Sequence, residues 1–138
     1  SRNRDYIWKK WGFDPLNNII GNIFKIIYAT AEPLALLEIN AHNGASYAHL
    51  NYICPKLRYV GYESNLSYIP LTIKEAHITY TDYDNIDFCQ YNKEFNYIII
   101  NNATEYNEAE RNSLYSRLYG CLKADGQLIW NDNTPHND

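Results

Sequence analysis

The segment Leu36-Leu37-Glu38-Ile39-Asn40-Ala41-His42-Asn43-Gly44-Ala45-Ser46 constrains this chain more than any other. An apolar run ends near an acid, a short polar loop carries one glycine, and an apolar helix pattern begins at once. A strand that hands the chain straight to a helix belongs to a parallel sheet. The loop then points free backbone N–H groups at whatever lies over the strand end.

The same rhythm continues to the end of the chain. Strands are expected at Leu34–Ile39, Arg58–Tyr62, His77–Tyr80, Phe95–Ile100 and Gln127–Trp130. The run Phe95–Ile100 is apolar throughout except for Asn96, as parallel sheets buried on both faces require. Helices are expected at Ala45–Ile53, ended by Pro55, and at Leu66–Glu75, started late or kinked by Pro70. A third covers Glu108–Leu122, with Leu114, Leu118 and Leu122 as its apolar stripe. Asp82–Lys93 reads as a polar loop with at most a helical turn, and Asp125-Gly126 as a turn.

Ahead of this pattern, residues 5–30 read as a helix, with Ile19, Ile20, Ile23, Phe24 and Ile27 on one face. Asp14-Pro15 supplies a cap and first turn there, Trp8 and Trp11 pack it on the core, and Pro33 stops it. The division is a helical segment over 1–33 and a Rossmann-like domain over 34–138. The tail after Asn131 is polar and expected to fray. The fold class is α/β: a three-layer parallel sheet in strand order 3-2-1-4-5 with right-handed crossovers.

Composition removes several function classes. With 138 residues the chain suffices for one domain with a real core. Twelve Lys and Arg against 16 Asp and Glu give a net charge of −4, and the only basic pair is Lys9-Lys10, so no nucleic-acid surface is expected. No apolar run nears the roughly 20 residues of a membrane span. Cys54, Cys89 and Cys121 are odd in number and form no CxxC pair, so they read as reduced thiols of a cytoplasmic protein. Methionine is absent, so the chain is expected to be processed or excised from something longer. The abundance of Asn, Ile and Tyr is attributed to genome composition.

Ligands of doubly wound sheets bind at the carboxyl ends of the strands. That rule singles out Glu38–Gly44, Glu63, Asp82 with Asp84, Asn101–Tyr106 and Asn131–Asn133. Glu63 stands at the end of the second strand, 19 residues after Gly44, where an acid can accept both hydroxyls of a ribose. His42 lies in the loop itself and is a base only if an acceptor comes within roughly 3 Å. His49, His77 and His136 show no metal-ligand spacing.

With these residues in place, positions 34–133 resemble the class I S-adenosylmethionine-dependent methyltransferases, most of all the small-molecule O-methyltransferases of the catechol type. That group's first motif, E-x-G-A-x-x-G-x-S, is matched by Glu38 through Ser46, and its E-x-N strand end by Glu63-Ser64-Asn65. Its fourth strand is matched by Phe95–Ile100. Its L-x-x-G-G turn, apolar strand and Asp-Asn are matched by Leu122 through Asn133. The resemblance implies S-adenosylmethionine as the donor and a small-molecule acceptor. The donor contacts it implies, with the strand-end positions, are Glu38, Asn40, His42, Gly44, Ser46, Glu63, Asp82 and Asn101.

Three departures qualify that expectation. Asn40 replaces the first glycine, which tolerates left-handed backbone but puts a side chain near the donor's methionine portion. The metal-binding Asp and nearby catalytic Lys of the catechol type are replaced by Asn101-Asn102-Ala103-Thr104-Glu105, so no metal is expected from Asp132 and Asn133 alone. The final antiparallel strand pair of the family is also missing. The alternative is therefore a non-catalytic methyltransferase-like binding or scaffold domain of a larger protein, partnered by a fused domain or a second copy. A dehydrogenase half is disfavoured because G-x-G-x-x-G is absent, as is the Asn-Pro-Pro-aromatic motif of amino-group methyltransferases.

Overall fold

The computed structural model describes residues 33–132. The expected helix over residues 5–30 and the tail from Asn133 lie outside the described residues. Five strands form one sheet: β1 Ala35–Ile39, β2 Arg58–Glu63, β3 Ile78–Tyr80, β4 Phe95–Ile100 and β5 Leu122–Trp130. Their order is β3-β2-β1-β4-β5, and every pairing is parallel.

Side-chain alternation divides the core between the two faces of this sheet. Leu37, Ile39, Ile98 and Ile100 point to one face, where helix α2 (Glu108–Leu118) packs through Leu114 and Leu118. Leu36 and Ile99 point to the other, under Leu50 of helix α1 (Ala45–Ile53). The connection after β1 thus covers one face and the connection after β4 the other. That reversal creates a crevice between the β1 and β4 loops.

Four elements differ from their sequence expectations. Leu66–Leu71 is a short 3₁₀ turn rather than a helix reaching Glu75. Pro70 lacks an N–H, and Asn65 caps the turn by accepting from Ser67 N–H at 3.1 Å, so nothing propagates an α-helix there. Leu66, Ile69 and Leu71 stay exposed as a result. The polar stretch after β3 holds two 3₁₀ turns, Tyr83–Asn85 and Phe88–Tyr91, anchored by buried Phe88. Helix α2 ends at Leu118, and Leu122 belongs to β5. Its start is sealed by a reciprocal capping box between Asn107 and Glu110.

The fourth difference is the Asp125-Gly126 turn, which lies inside β5. The β4–β5 register steps from Phe95↔Leu122 to Tyr97↔Gln127, so the turn tendency is absorbed as a bulge. Among the described residues, no helix is long and apolar enough to cross a membrane.

Gly61 shows why one strand position tolerates no side chain. It pairs directly with Glu38 across β1–β2, and Tyr59, two residues earlier on the same face, leans over it. A Cβ there would meet Ile78 Cδ1 at 2.6 Å and the Tyr59 hydroxyl at 2.7 Å. Gly61→Ala is expected to cost about 1–3 kcal/mol by overpacking. It should also push the Tyr59 hydroxyl off Glu38, which chemical denaturation and tyrosine absorbance would both report.

Candidate functional site

The end of β1 carries an acid with nowhere to put its charge except into hydrogen bonds. Glu38 is fully buried. Its Oε1 accepts from the Tyr59 hydroxyl at 2.5 Å and its Oε2 from Asn101 Nδ2 at 2.7 Å. Ser46, buried in the first turn of α1, hydrogen-bonds it as well. Burial raises the Glu38 carboxyl above its ordinary value; the three hydrogen bonds pull it back, and the Glu63 charge adds to the rise.

The sign of the resulting pH effect follows. A carboxyl whose folded pKa is raised contributes most below its unfolded value, and loses that contribution as pH climbs through the folded value. Glu38 therefore costs stability as pH rises above 4.5. Glu38→Gln is expected to abolish that decline. Denaturation midpoints of the two proteins should diverge upward from that pH and then run parallel; identical pH profiles would remove the effect.

Asn101 continues the network. Its Nδ2 also donates to the Asn40 carbonyl at 3.0 Å, and its Oδ1 accepts from Asn131 Nδ2 at 2.8 Å. The ends of β1, β4 and β5 are thereby joined by buried amides. Asn101 opens the stretch that the sequence resemblance sets against the catechol-type metal-binding Asp; its amide donates toward Glu38 and Asn40 and its oxygen is taken by Asn131. These side chains do not fit a cation. Among the described residues, no group of three His, Cys, Asp or Glu is placed to hold a metal.

Asn40 takes up left-handed backbone, with φ of 60°. Its side chain does not project freely into the crevice. Nδ2 donates to the Asn101 carbonyl at 2.8 Å and to the Tyr106 hydroxyl at 3.0 Å. Oδ1 accepts from the Tyr83 hydroxyl at 2.6 Å, and that hydroxyl accepts in turn from the Asn40 N–H at 3.0 Å. Burial raises the pKa of both phenols, which keeps them protonated and able to donate.

Gly44 caps α1 with φ of 89°, and a Cβ there would stand 2.6 Å from Ala76 Cβ. Its glycine is demanded by backbone conformation and by packing against the segment before β3. Glu63 closes β2 and is buried. Its Oε1 accepts from the His42 N–H at 2.9 Å and its Oε2 from the Asn65 N–H at 2.7 Å. The acid thus lies directly against the β1 loop.

His42 also takes left-handed backbone, φ 57°. Its ring stacks on Tyr68, centroids 5.0 Å apart, and its Nε2 lies 3.1 Å from Asn102 Nδ2. Burial lowers its pKa, with Glu63 and Glu105 opposing. Asp82 follows β3, is exposed, and caps its own turn by accepting from the Asp84 N–H at 3.1 Å.

The structure therefore brings Glu38, Asn40, His42, Ser46, Glu63 and Asn101 into one cluster. Gly44 acts through backbone, and Asp82 stands at the outer strand end. Sequence reasoning singled out the stretch Asn101–Tyr106, which holds Asn102 and Tyr106, but missed Tyr59, Tyr68 and Tyr83. Their signal was present as tyrosines spaced around the strand ends, but it was attributed to composition.

No family model matches the sequence, and no curated protein matches it. Solved structures do. A candidate caffeoyl-CoA O-methyltransferase from Staphylococcus aureus superposes with a TM-score of 0.64 at 18% identity, over 81% of this chain and 56% of that one. An S-adenosylmethionine-dependent methyltransferase from Archaeoglobus fulgidus gives 0.58 at 13% identity, over 89% and 55%. The plantazolicin methyltransferase BpumL, solved with S-adenosylhomocysteine, gives 0.62 at 18% identity, over 78% and 42%. The chain spans about half the length of these structures. Strand order, connections and these superpositions agree: the chain has the fold of the class I S-adenosylmethionine-dependent methyltransferases.

Proposed function

We propose that the chain binds S-adenosylmethionine over the ends of β1, β2 and β4 and passes its methyl group to a small-molecule acceptor. The observation that carries this reading is Glu63, a buried carboxylate at the end of β2 lying 2.9 Å from the N–H of His42 in the β1 loop. Each Glu63 oxygen accepts one backbone N–H and keeps a further lone pair, so the group suits the two hydroxyls of a ribose. The structural neighbour solved with S-adenosylhomocysteine supports the same ligand class.

The donor supplies a sulfonium-bound methyl for in-line displacement. The protein's share is positioning, which by itself accounts for a large part of such a barrier. Asn40 to Gly44 and Asn101 to Asn102 border the methionine end, Glu63 holds the ribose, and Asp82 bounds the outer end. No catalytic base is assigned. The acceptor pocket is completed by a fused domain or by a second copy. Cys54, Cys89 and Cys121 are all free thiols, which suits the cytoplasm.

A second reading, a non-catalytic binding or scaffold domain, is favoured by one observation. Asn40 replaces glycine and its side chain is spent on three neighbours inside the crevice. Isothermal titration with S-adenosylmethionine and S-adenosylhomocysteine separates the readings. Saturable heat from either is expected. A folded protein that gives none from both ligands makes the scaffold reading the correct one.

A further inference from the structure

We propose that the contact between His42 and Asn102 is a latch across the β1–β4 crevice that must part before the donor enters. This rests on the donor reading above for its ligand, but not for its existence. The crevice lies where α1 leaves one face of the sheet and α2 the other, the place where ligands of such sheets bind. In this chain side chains span that place at two depths. Below, Asn40 and Asn101 exchange bonds at 2.8 and 3.0 Å, and both residues are buried. Above, half-buried His42 and Asn102 meet at 3.1 Å.

In the lower pair Asn40 alone takes up left-handed backbone; in the upper pair both residues do. His42 and Asn102 both have φ of 57°, a region that side-chain-bearing residues enter at a cost and keep only where the surroundings enforce it. Asn102 precedes the 3₁₀ turn Ala103–Glu105, yet its side chain caps nothing in that turn. Its amide reaches across to the His42 ring instead. The face of the His42 ring is stacked on the Tyr68 ring, so Asn102 is the side of the latch that can move. A donor lying along the β1 loop toward β4 competes with this contact directly.

The test uses Asn102→Gly, which removes the amide and suits the left-handed backbone, together with His42→Asn from the other side. Two measurements are made on each folded variant: hydrogen exchange of the residue 41–43 amides without ligand, and titration with S-adenosylhomocysteine. Exchange is expected to accelerate about fivefold and affinity to rise about fivefold, the equivalent of one net hydrogen bond. The double variant should do no more than His42→Asn alone, because Asn102 has no ring left to hold once His42 is replaced. Unchanged exchange in Asn102→Gly overturns the latch, and so does faster exchange with unchanged or weaker affinity. Faster exchange with no binding heat from any of the proteins sustains the latch and overturns the donor reading instead.

Discussion

Asn101→Ala is expected to lower the free energy of unfolding by about 3–5 kcal/mol, a large part of the roughly 5–15 kcal/mol that holds a domain together. The residue is 1% exposed and its side chain makes three bonds, to Glu38, to the Asn40 carbonyl and to Asn131. Alanine removes all three and fills none of the space. The Glu38 carboxylate then relies on Tyr59 and Ser46 alone, so its carboxyl rises further and the loss grows toward neutral pH. Asn101→Asp sets a second carboxylate against Glu38, which forces one of the two to hold a proton. Urea denaturation at pH 5 and pH 8 checks both variants. A loss below about 1 kcal/mol for Asn101→Ala would mean the network joining β1, β4 and β5 contributes little.

The fold was legible because parallel strands announce themselves twice, by apolar runs and by the helices between them. Ala35–Ile39 and Phe95–Ile100 have no polar face to confuse the reading, apart from Glu38 at one strand and Asn96 at the other. Where reading failed, local chemistry competed with a periodic pattern. Leu66, Ile69 and Ile73 have helical spacing, yet Pro70 and the Asn65 cap hold a tight turn instead. Asp125-Gly126 is a strong turn signal, but β5 continues past it, and the extra residues fold into a bulge rather than end the pairing.

The site was legible only in outline. Strand ends and spacing located Glu38, Asn40, Glu63 and Asn101, since sheet topology fixes where those positions go. What the side chains do there depends on partners distant in sequence. Asn40 reads as an obstruction to a ligand; in the structure it is the point on which Tyr83 and Tyr106, 43 and 66 residues away, converge. Gly44 reads as a place for close ligand approach, and it also serves packing against Ala76. Such couplings leave no local pattern. Tyrosines beside strand ends are the one cue that would have found them.

Glu63→Ala is expected to weaken S-adenosylhomocysteine binding about 100-fold. Two ribose hydroxyls lose a charged acceptor worth roughly 1.5–3 kcal/mol per bond, and water recovers part of that loss. The same change frees the N–H groups of His42 and Asn65, which lie in loops on either side of the proposed ribose position. Loop disorder therefore adds to the loss. It also removes a neighbouring charge that raises the Glu38 carboxyl, so the pH dependence of stability should flatten slightly even without ligand. Glu63→Gln separates the contributions. It keeps one oxygen for a backbone N–H and the shape of the side chain, but presents an amide NH2 donor where the second oxygen stood. If both variants fold with unchanged midpoints and bind S-adenosylhomocysteine as tightly as the parent chain, Glu63 has no part in holding ribose. Intermediate binding by Glu63→Gln with near loss in Glu63→Ala is the pattern that a carboxylate facing a diol produces.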